Sequence, residues 1–336
     1  MAGIKSKGGT LRILALEYIT GGGLLGQELP AGLAREGDAM LCALLRDLRE
    51  IPGITAVSSR DPRLPPPSEG GEFIEPEGDI WAFWARLMGG ADALWPIAPE
   101  SGGILERMSR LAGAKTLIGS DPATVAITAS KRRTANLLAA HGIHSVPTVP
   151  ALEFLPPSDS GYVTKPDDGV GAEETRVFES GEKLAEFFAP RNDAVRFVAQ
   201  PYLTGTPASI SAVFRDGHAR VLSCNRQDIP RANGAFRYLG FDVGALEELR
   251  PAFTQTTQRI ARALPGLRGY AGIDLIADGG EAVVLEINPR LTTSYAGLSE
   301  SLGVNAAQLI LDFAAGREIR EVSPKRCVRV TVASDG

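Results

Sequence analysis

Cysteine and histidine are both scarce, three of each in 336 residues. Cys42, Cys224 and Cys327 lie far apart and make no paired-ligand spacing, which fits a reducing compartment with buried or idle thiols. His141, His144 and His218 are too few for a histidine-rich transition-metal site. No run of about 18 apolar residues is present, so no membrane partner is expected. Leu11 to Leu16 is short and is broken by Glu17, unlike the apolar core of a signal peptide. A cytoplasmic protein is therefore expected. A formal net charge of −5 argues against a broad nucleic-acid surface. Glycine and proline are plentiful, 38 and 23 residues, which implies many tight loops. With 44% hydrophobic and 22% charged residues the composition is still that of a globular protein. The length suits two or three domains, each with its own core, and no internal repeat is visible.

Along the first 120 residues strands alternate with helices. Leu11 to Leu16, Ile54 to Val57, Ala93 to Ile97 and Lys115 to Ile118 read as strands; Leu33 to Arg49, Asp79 to Met88 and Ile104 to Leu111 read as helices. This order predicts a doubly wound parallel sheet covered on both faces. Asp61 to Gly71 is a Pro- and Gly-rich loop. Asp121-Pro122 looks like a capped helix start, with a break near Ser130-Lys131 and an end at His141-Gly142. From Val146 onward the pattern is α+β: strands at 163–165, 176–178, 195–201, 209–214 and 220–223, then helices at 246–263 and 306–314. Gly21-x-Gly23-x-x-Gly26 matches the dinucleotide fingerprint in form. The acid expected roughly 20 residues farther on is missing, which disfavours a nicotinamide oxidoreductase. A loop admitting substrate close to the backbone and a plain turn explain these glycines about equally well.

The most informative stretch lies later. Tyr270 to Ala277 and Ala282 to Ile287 flank Asp278-Gly279-Gly280 and read as a hairpin. Asp274, Glu286 and Asn288 sit among Ile273, Leu275, Leu285 and Ile287. A buried charge must be paired or bound to metal, and carboxylates with an amide oxygen suit a hard cation such as Mg2+. Residues 286 and 288 share a face. Asp274 joins them if the loop has three residues, whereas a two-residue Gly279-Gly280 turn sends the two acids to opposite faces. Two further segments carry chemistry. Thr164-Lys165-Pro166-Asp167-Asp168-Gly169-Val170-Gly171 delivers a lysine into a glycine loop, as a phosphate cover requires. Gln200-Pro201-Tyr202-Leu203 ends an apolar strand with one amide, which suits an adenine edge.

The order of these segments resembles the ATP-grasp ligases. The resemblance spans about residues 117–308 and rests on Gly119 through Lys131, the Lys165 glycine loop, Gln200 to Gly205, Gly272-Ile273-Asp274 and Glu286 to Arg290. It implies a Rossmann-like domain over 1–120, a central lid subdomain over 121–203 and a C-terminal subdomain with the metal site over 204–336. It also implies that Lys131, Lys165, Gly169 and Gly171 contact ATP phosphates, and that Gln200, Pro201, Tyr202 and Leu203 hold adenine. Asp274, Glu286 and Asn288 would bind two Mg2+ or Mn2+ ions, and Arg290 would face the transferred phosphoryl group. Many members place an acid after the adenine strand for the ribose; here Pro207-Ala208-Ser209 stands instead, leaving Ser209 or Ser211. Within that superfamily, Leu16 to Gly23 and Asn288 to Tyr295 are similar to tyramine–glutamate ligases of methanofuran-type cofactor synthesis, as are Pro99-Glu100 and Asn225 to Gln227. On that likeness Glu17, Tyr18, Gly22, Glu100, Gln227, Thr292 and Tyr295 are substrate-side candidates, with Glu17 and Glu100 receiving an ammonium. Arg226 reads evenly as a carboxylate holder or a surface arginine. An ADP-forming acid–amine ligase acting on small molecules is expected. An ATP-binding regulator without turnover is the non-enzyme rival, and homo-oligomerisation is left open.

Overall fold

The computed structural model describes residues 9–67, 69, 72–153, 155–169, 174–232 and 235–331. The early alternation builds one five-stranded sheet from β1 (Leu11–Glu17), β2 (Ile54–Ser59), β3 (Glu72–Ile74), β4 (Ala93–Ile97) and β5 (Thr116–Leu117). Its order is β3-β2-β1-β4-β5 and every pairing is parallel. Parallel neighbours need crossovers; α1 (Ala31–Arg49), α2 (Ile80–Gly89) and α3 (Ile104–Arg110) supply three of them. The strand order reverses between β1 and β4, so a crevice opens beyond their carboxyl ends. The expected Gly21–Gly23 loop is instead a short helical turn, Ile19–Gly23, with Gly22 at φ 100°.

Then come α4 (Pro122–Thr128), capped by Asp121 through the Thr124 N–H at 2.9 Å, and α5 (Lys131–Ala140), capped by Ser130. Thus the predicted break at Ser130 is a second N-cap. β6 (Val149–Pro150), β7 (Tyr162–Pro166), β8 (Arg176–Phe178), α6 (Gly181–Phe188) and β9 (Phe197–Pro201) form a second layer. The chain continues through β10 (Thr206–Arg215), β11 (His218–Asp228), β12 (Arg231–Ala232), β13 (Ala235–Phe236) and β14 (Gly240–Val243). It ends with α7 (Arg250–Ala263), β15 (Gly269–Asp278), β16 (Glu281–Asn288), α8 (Leu298–Leu302), α9 (Ala306–Ala314) and β17 (Val328–Thr331). The second sheet has the order β12-β13-β8-β7-β9-β6 and the third β16-β15-β10-β11-β14-β17. The pairings of the third are antiparallel. Strands β3, β6, β12, β13, β14 and β17 are additions to the sequence reading.

One face of the third sheet is apolar. Ala208, Ile210, Ile273, Leu275, Val284 and Ile287 are buried there against Leu138 of α5 and Phe253 and Ile260 of α7. Burial of a large aliphatic side chain stabilises by about 1.5–3 kcal/mol, so this face fixes the register of the hairpin. A second core is shared between the first and third sheets: Ile13, Leu41, Leu44 and Leu48 pack with Val243, Tyr295, Leu298 and Ile310. Its polar clasp is Asp47 of α1, buried, which accepts hydrogen bonds from Tyr295 Oη (2.8 Å) and Ser299 Oγ (2.6 Å). Among the described residues no helix is long and apolar enough to cross a membrane.

Burial raises the Asp47 pKa above the ordinary carboxylate value, and the two hydroxyls only partly offset it. A group whose folded pKa is raised contributes stability that is full below the unfolded pKa and lost as pH rises through the folded one. Asp47→Asn is therefore expected to flatten that part of the stability–pH profile in urea unfolding. Tyr295→Phe, which removes one donor from a buried acceptor, is expected to cost about 1–3 kcal/mol in the same measurement.

Candidate active site

The hairpin β15–β16 turns through two residues, Gly279 and Gly280, at φ 56° and 89°. Glycine supplies such positive φ without strain. From that turn the pairs run Asp278↔Glu281, Ala277↔Ala282, Ile276↔Val283 and Leu275↔Val284. A regular ladder would next set Asp274 opposite Leu285. The register instead shifts between Asp274 and Leu275, so that Leu285 is unpaired and Asp274 faces Glu286, with Gly272 opposite Asn288. The two-residue turn was expected to part the two acids; this β-bulge restores them to one face, since one extra residue reverses the alternation.

Asp274 is held by two amides: Gln227 Nε2 donates to Oδ1 at 2.8 Å and Asn288 Nδ2 to Oδ2 at 3.0 Å. Lys131 Nζ lies 3.4 Å from Glu286 Oε2 and donates to the Gly169 carbonyl at 2.5 Å. Lys131 starts α5, and Asp167 ties that helix start to the end of the Lys165 strand. The Asp167 carboxylate accepts from Ser130 Oγ (2.6 Å) and Arg132 N–H (2.9 Å), while its carbonyl accepts the Lys131 N–H (3.0 Å). A carboxylate at a helix N-terminus is favourable for hydrogen bonding and for the helix dipole. Both lysines are thereby brought to the acidic face. Gly171 lies outside the described residues.

The charges are strongly coupled. Burial pushes Asp274 up, and the neighbouring Glu286 carboxylate pushes in the same direction. Glu286 goes the other way: burial would raise it, but the Lys131 and Lys165 charges outweigh that. Burial lowers Lys165 to about 8, with Glu286 opposing and Lys131 reinforcing. Two carboxylates and an amide are the hard oxygen donors Mg2+ or Mn2+ takes, and the crowding of charge that raises Asp274 is what a divalent ion would relieve. These residues fit such an ion.

On the second sheet β7 and β9 pair antiparallel, setting Lys165 opposite Val198 and Gln200 opposite Val163. Gln200 is buried and its Nε2 donates to Thr148 Oγ1 at 2.9 Å; the Tyr202 N–H donates to the Gly161 carbonyl at 2.9 Å. Pro201 pairs with Tyr162, and Leu203 lines a cavity of about 390 Å³ with His144, Pro147 and Val283. Ser209 is buried opposite Asp274, its Oγ 3.3 Å from Asn225 Nδ2, within the polar face of the third sheet.

Family models for an ATP-grasp domain and a pre ATP-grasp 3 domain match residues 128–294 and 54–125. The chain belongs to the ATP-grasp superfamily. The tyramine–L-glutamate ligase of Methanocaldococcus jannaschii is 27% identical over 124 residues, 37% of this chain and 38% of that protein. The match thus spans well under half of that relative. An ATP-grasp superfamily protein from Archaeoglobus fulgidus has a TM-score of 0.71 at 23% identity, covering 93% of this chain and 90% of that one. N5-carboxyaminoimidazole synthetase from Staphylococcus aureus, complexed with ADP, has a TM-score of 0.72 at 14% identity, covering 97% and 82%. Both solved structures speak for the fold.

Around this ATP-grasp centre the substrate-side candidates divide. Gln227 bonds Asp274 directly. Arg290 is bridged from the first sheet: its Nη2 donates to Glu100 Oε2 at 2.9 Å, and both Glu100 Oε1 and Arg290 Nε are buried without a hydrogen-bond partner among the described residues. Thr292 Oγ1 lies 2.9 Å from Tyr270 Oη and from Ser294 Oγ, in a polar cluster with Ser211. Four candidates are not brought to the acids, each for a physical reason. Glu17 is buried and caps its own turn, accepting from the Ile19 and Thr20 N–H groups and Thr20 Oγ1. Tyr18 packs edge-on to Trp84 at 5.9 Å, and Gly22 is the positive-φ residue packed on Pro76. Tyr295 is wholly buried on Asp47. Arg226 also lies apart: it neighbours Gln227 on β11, so alternation turns it to the opposite face, where its Nη2 donates to Asp242 at 2.8 Å.

Sequence reading missed Asp167, although an acid just after the strand lysine was a usable signal for it. Asp167→Ala removes a cap worth about 1 kcal/mol and frees the Lys131 helix start. The ATP KM is expected to rise on the order of tenfold in a steady-state ADP-release assay, with a smaller change in the KM of the other substrates.

Proposed function

We propose that this protein is an ATP-dependent carboxylate–amine ligase that forms an amide through an acyl phosphate. The observation that carries the reading is the facing pair Asp274 and Glu286, with Lys131 against Glu286 and Lys165 in the field of both acids. Asp274, Glu286 and Asn288 would hold Mg2+ or Mn2+, two ions by the family likeness; such ions, when bound, screen the charge on the triphosphate. Lys131 and Lys165 bring positive charge from the opposite side, and Gly169 belongs to the loop that covers the phosphates. Gln200, Pro201, Tyr202 and Leu203 hold the adenine edge. A carboxylate oxygen attacks the γ-phosphorus, ADP leaves, and the amine then displaces phosphate from the acyl carbon. Positioning and fixed charge supply most of the acceleration in such transfers.

For the substrates, the likeness to tyramine–L-glutamate ligases supports the γ-carboxylate of glutamate as the acid and tyramine or a related amine as the nucleophile. The same likeness supports a role in methanofuran-type one-carbon cofactor synthesis. Arg290, fixed by Glu100, holds the carboxylate and the acyl phosphate, since a guanidinium binds such groups bidentately. Gln227 and Thr292 line the acid side.

The test is ADP release with glutamate and a panel of amines, with mass spectrometry of the product. Amine-dependent ADP formation and a glutamyl amide are expected. Lys165→Ala should lower kcat on the order of a hundredfold or more, as loss of a charge contact to the transferred group does. ATP turnover that ignores every amine would count against the ligase reading.

A further inference from the structure

Two buried polar atoms without a hydrogen-bond partner among the described residues belong to one ion pair, Glu100 with Arg290. The pair is half made. Arg290 engages Glu100 Oε2 through Nη2 at 2.9 Å and the Leu291 carbonyl through Nη1 at 3.1 Å, which leaves its Nε–H. Glu100 is left with Oε1, although its side chain is only 6% exposed. The free donor and the free acceptor do not meet each other. They sit on two planar groups already in contact, so a ligand atom on one is the neighbour of a ligand atom on the other. A buried charged group left unmet is strongly unfavourable, and such an atom calls for a specific occupant.

Chemistry narrows the occupant. The Nε–H needs an oxygen, and Oε1 needs a donor, best of all a charged one. The other acids that could serve are committed: Asp274 takes an amide on each oxygen, Glu286 faces Lys131, and Glu17 caps its own turn. Glu100 Oε1 is therefore where a small cation finds a carboxylate oxygen beside Arg290. A primary aliphatic amine is such a cation at neutral pH, as the lysine side chain is. The turn after Glu100 also borders a cavity of about 260 Å³, lined by Ser101, Gly102, Asp168, Gly169, Glu174 and Arg196. Its two acids outnumber its one base, which favours the approach of a cation from that side.

We propose that this half-made pair is the amine subsite: Glu100 Oε1 accepts from the ammonium of the incoming amine while Arg290 Nε donates to an oxygen of the acyl group. One ion pair thus sets the nucleophile and the acyl carbon side by side. The assignment rests on the ligase reading and gives the second substrate its residue. An ammonium on a carboxylate is a charge-assisted hydrogen bond, and its loss weakens binding about ten- to a hundredfold.

The probes are tyramine, the alcohol in which a hydroxyl replaces its amino group, and hydroxylamine. Calorimetry on wild type, with Mg2+, a non-hydrolysable ATP analogue and glutamate present, should show tyramine binding tighter than the alcohol by that factor. Steady-state ADP release then compares wild type with Glu100→Gln, which keeps an oxygen for Arg290 Nη2 and turns an N–H toward the amine. The ratio of kcat/KM for tyramine to that for hydroxylamine, a small uncharged nucleophile, should fall about ten- to a hundredfold. Equal binding of amine and alcohol by wild type overturns the assignment and leaves only a water on Glu100. An unchanged ratio in the variant also overturns it and leaves Glu100 as a brace for Arg290. Hydroxamate formation by wild type without tyramine binding keeps the acyl phosphate and removes the amine subsite. Neither hydroxamate nor amine-dependent turnover removes the ligase reading as well.

Discussion

The candidate chemistry depends on one unpaired residue. With a two-residue glycine turn, Asp274 and Glu286 can share a face only if the ladder between them carries an odd correction, and the bulge at Leu285 supplies it. The apolar face enforces the same arrangement. Ile273, Leu275, Val284 and Ile287 are all buried against α5 and α7, and a register slip on either side of the bulge would turn some of them toward the cleft. Several buried aliphatic side chains at about 1.5–3 kcal/mol each outweigh the lost ladder bond of roughly 0.5–1.5 kcal/mol. The two acids are thus forced together by the packing behind them, against their mutual repulsion.

The opposite face of the same sheet is polar well beyond the two acids. Ser209, Ser211, Ser223, Asn225 and Ser294 are buried, and they hydrogen-bond one another and the Tyr270 hydroxyl. Buried polar groups are costly when unmet and rigidifying when met. Here the seam is met internally, so it adds no charge beside Asp274, and the substrate end of the centre has a stiff polar floor. Charge balance then comes from other layers: Lys131 from α5, Lys165 from the second sheet, and Arg290 bridged to Glu100 of the first. The site is a junction of three sheets, and none of them assembles it alone.

Much of the architecture was legible in the sequence because period and punctuation agree. The apolar strands alternate with helices before residue 120, and Asp121-Pro122 and Ser130 are caps that the structure uses as caps. The parity of the hairpin was not legible, because a bulge at Leu285 leaves no compositional mark and the Gly-Gly pair argued for separation. Arg226 and Gln227 could have been split by alternation alone, since adjacent strand residues cannot both face a cleft. Glu17 and Tyr295 show a different failure: polar atoms in a suggestive segment were already committed, one to its own turn and the other to Asp47 across 248 positions of chain. Long-range partners of that kind are set by packing, which a single sequence does not display.

The placement of both lysines at the acidic face runs through Asp167 rather than through either lysine by itself. Lys131 heads a helix and Lys165 sits near the end of a strand, elements that need not share an orientation. Asp167 bonds the start of α5 through its carboxylate and its carbonyl, and it bonds the second sheet through its N–H to the Arg196 carbonyl at 2.8 Å. The next residue, Asp168, accepts the Gly102 N–H at 3.2 Å. Two consecutive acids thus tie the glycine loop to α5 on one side and to the turn after β4 on the other. The Lys131 charge can then act on Glu286 at 3.4 Å while its ammonium also holds the Gly169 carbonyl. Such pre-set geometry carries no reorganisation cost at the moment of transfer, which is where fixed charges are most effective.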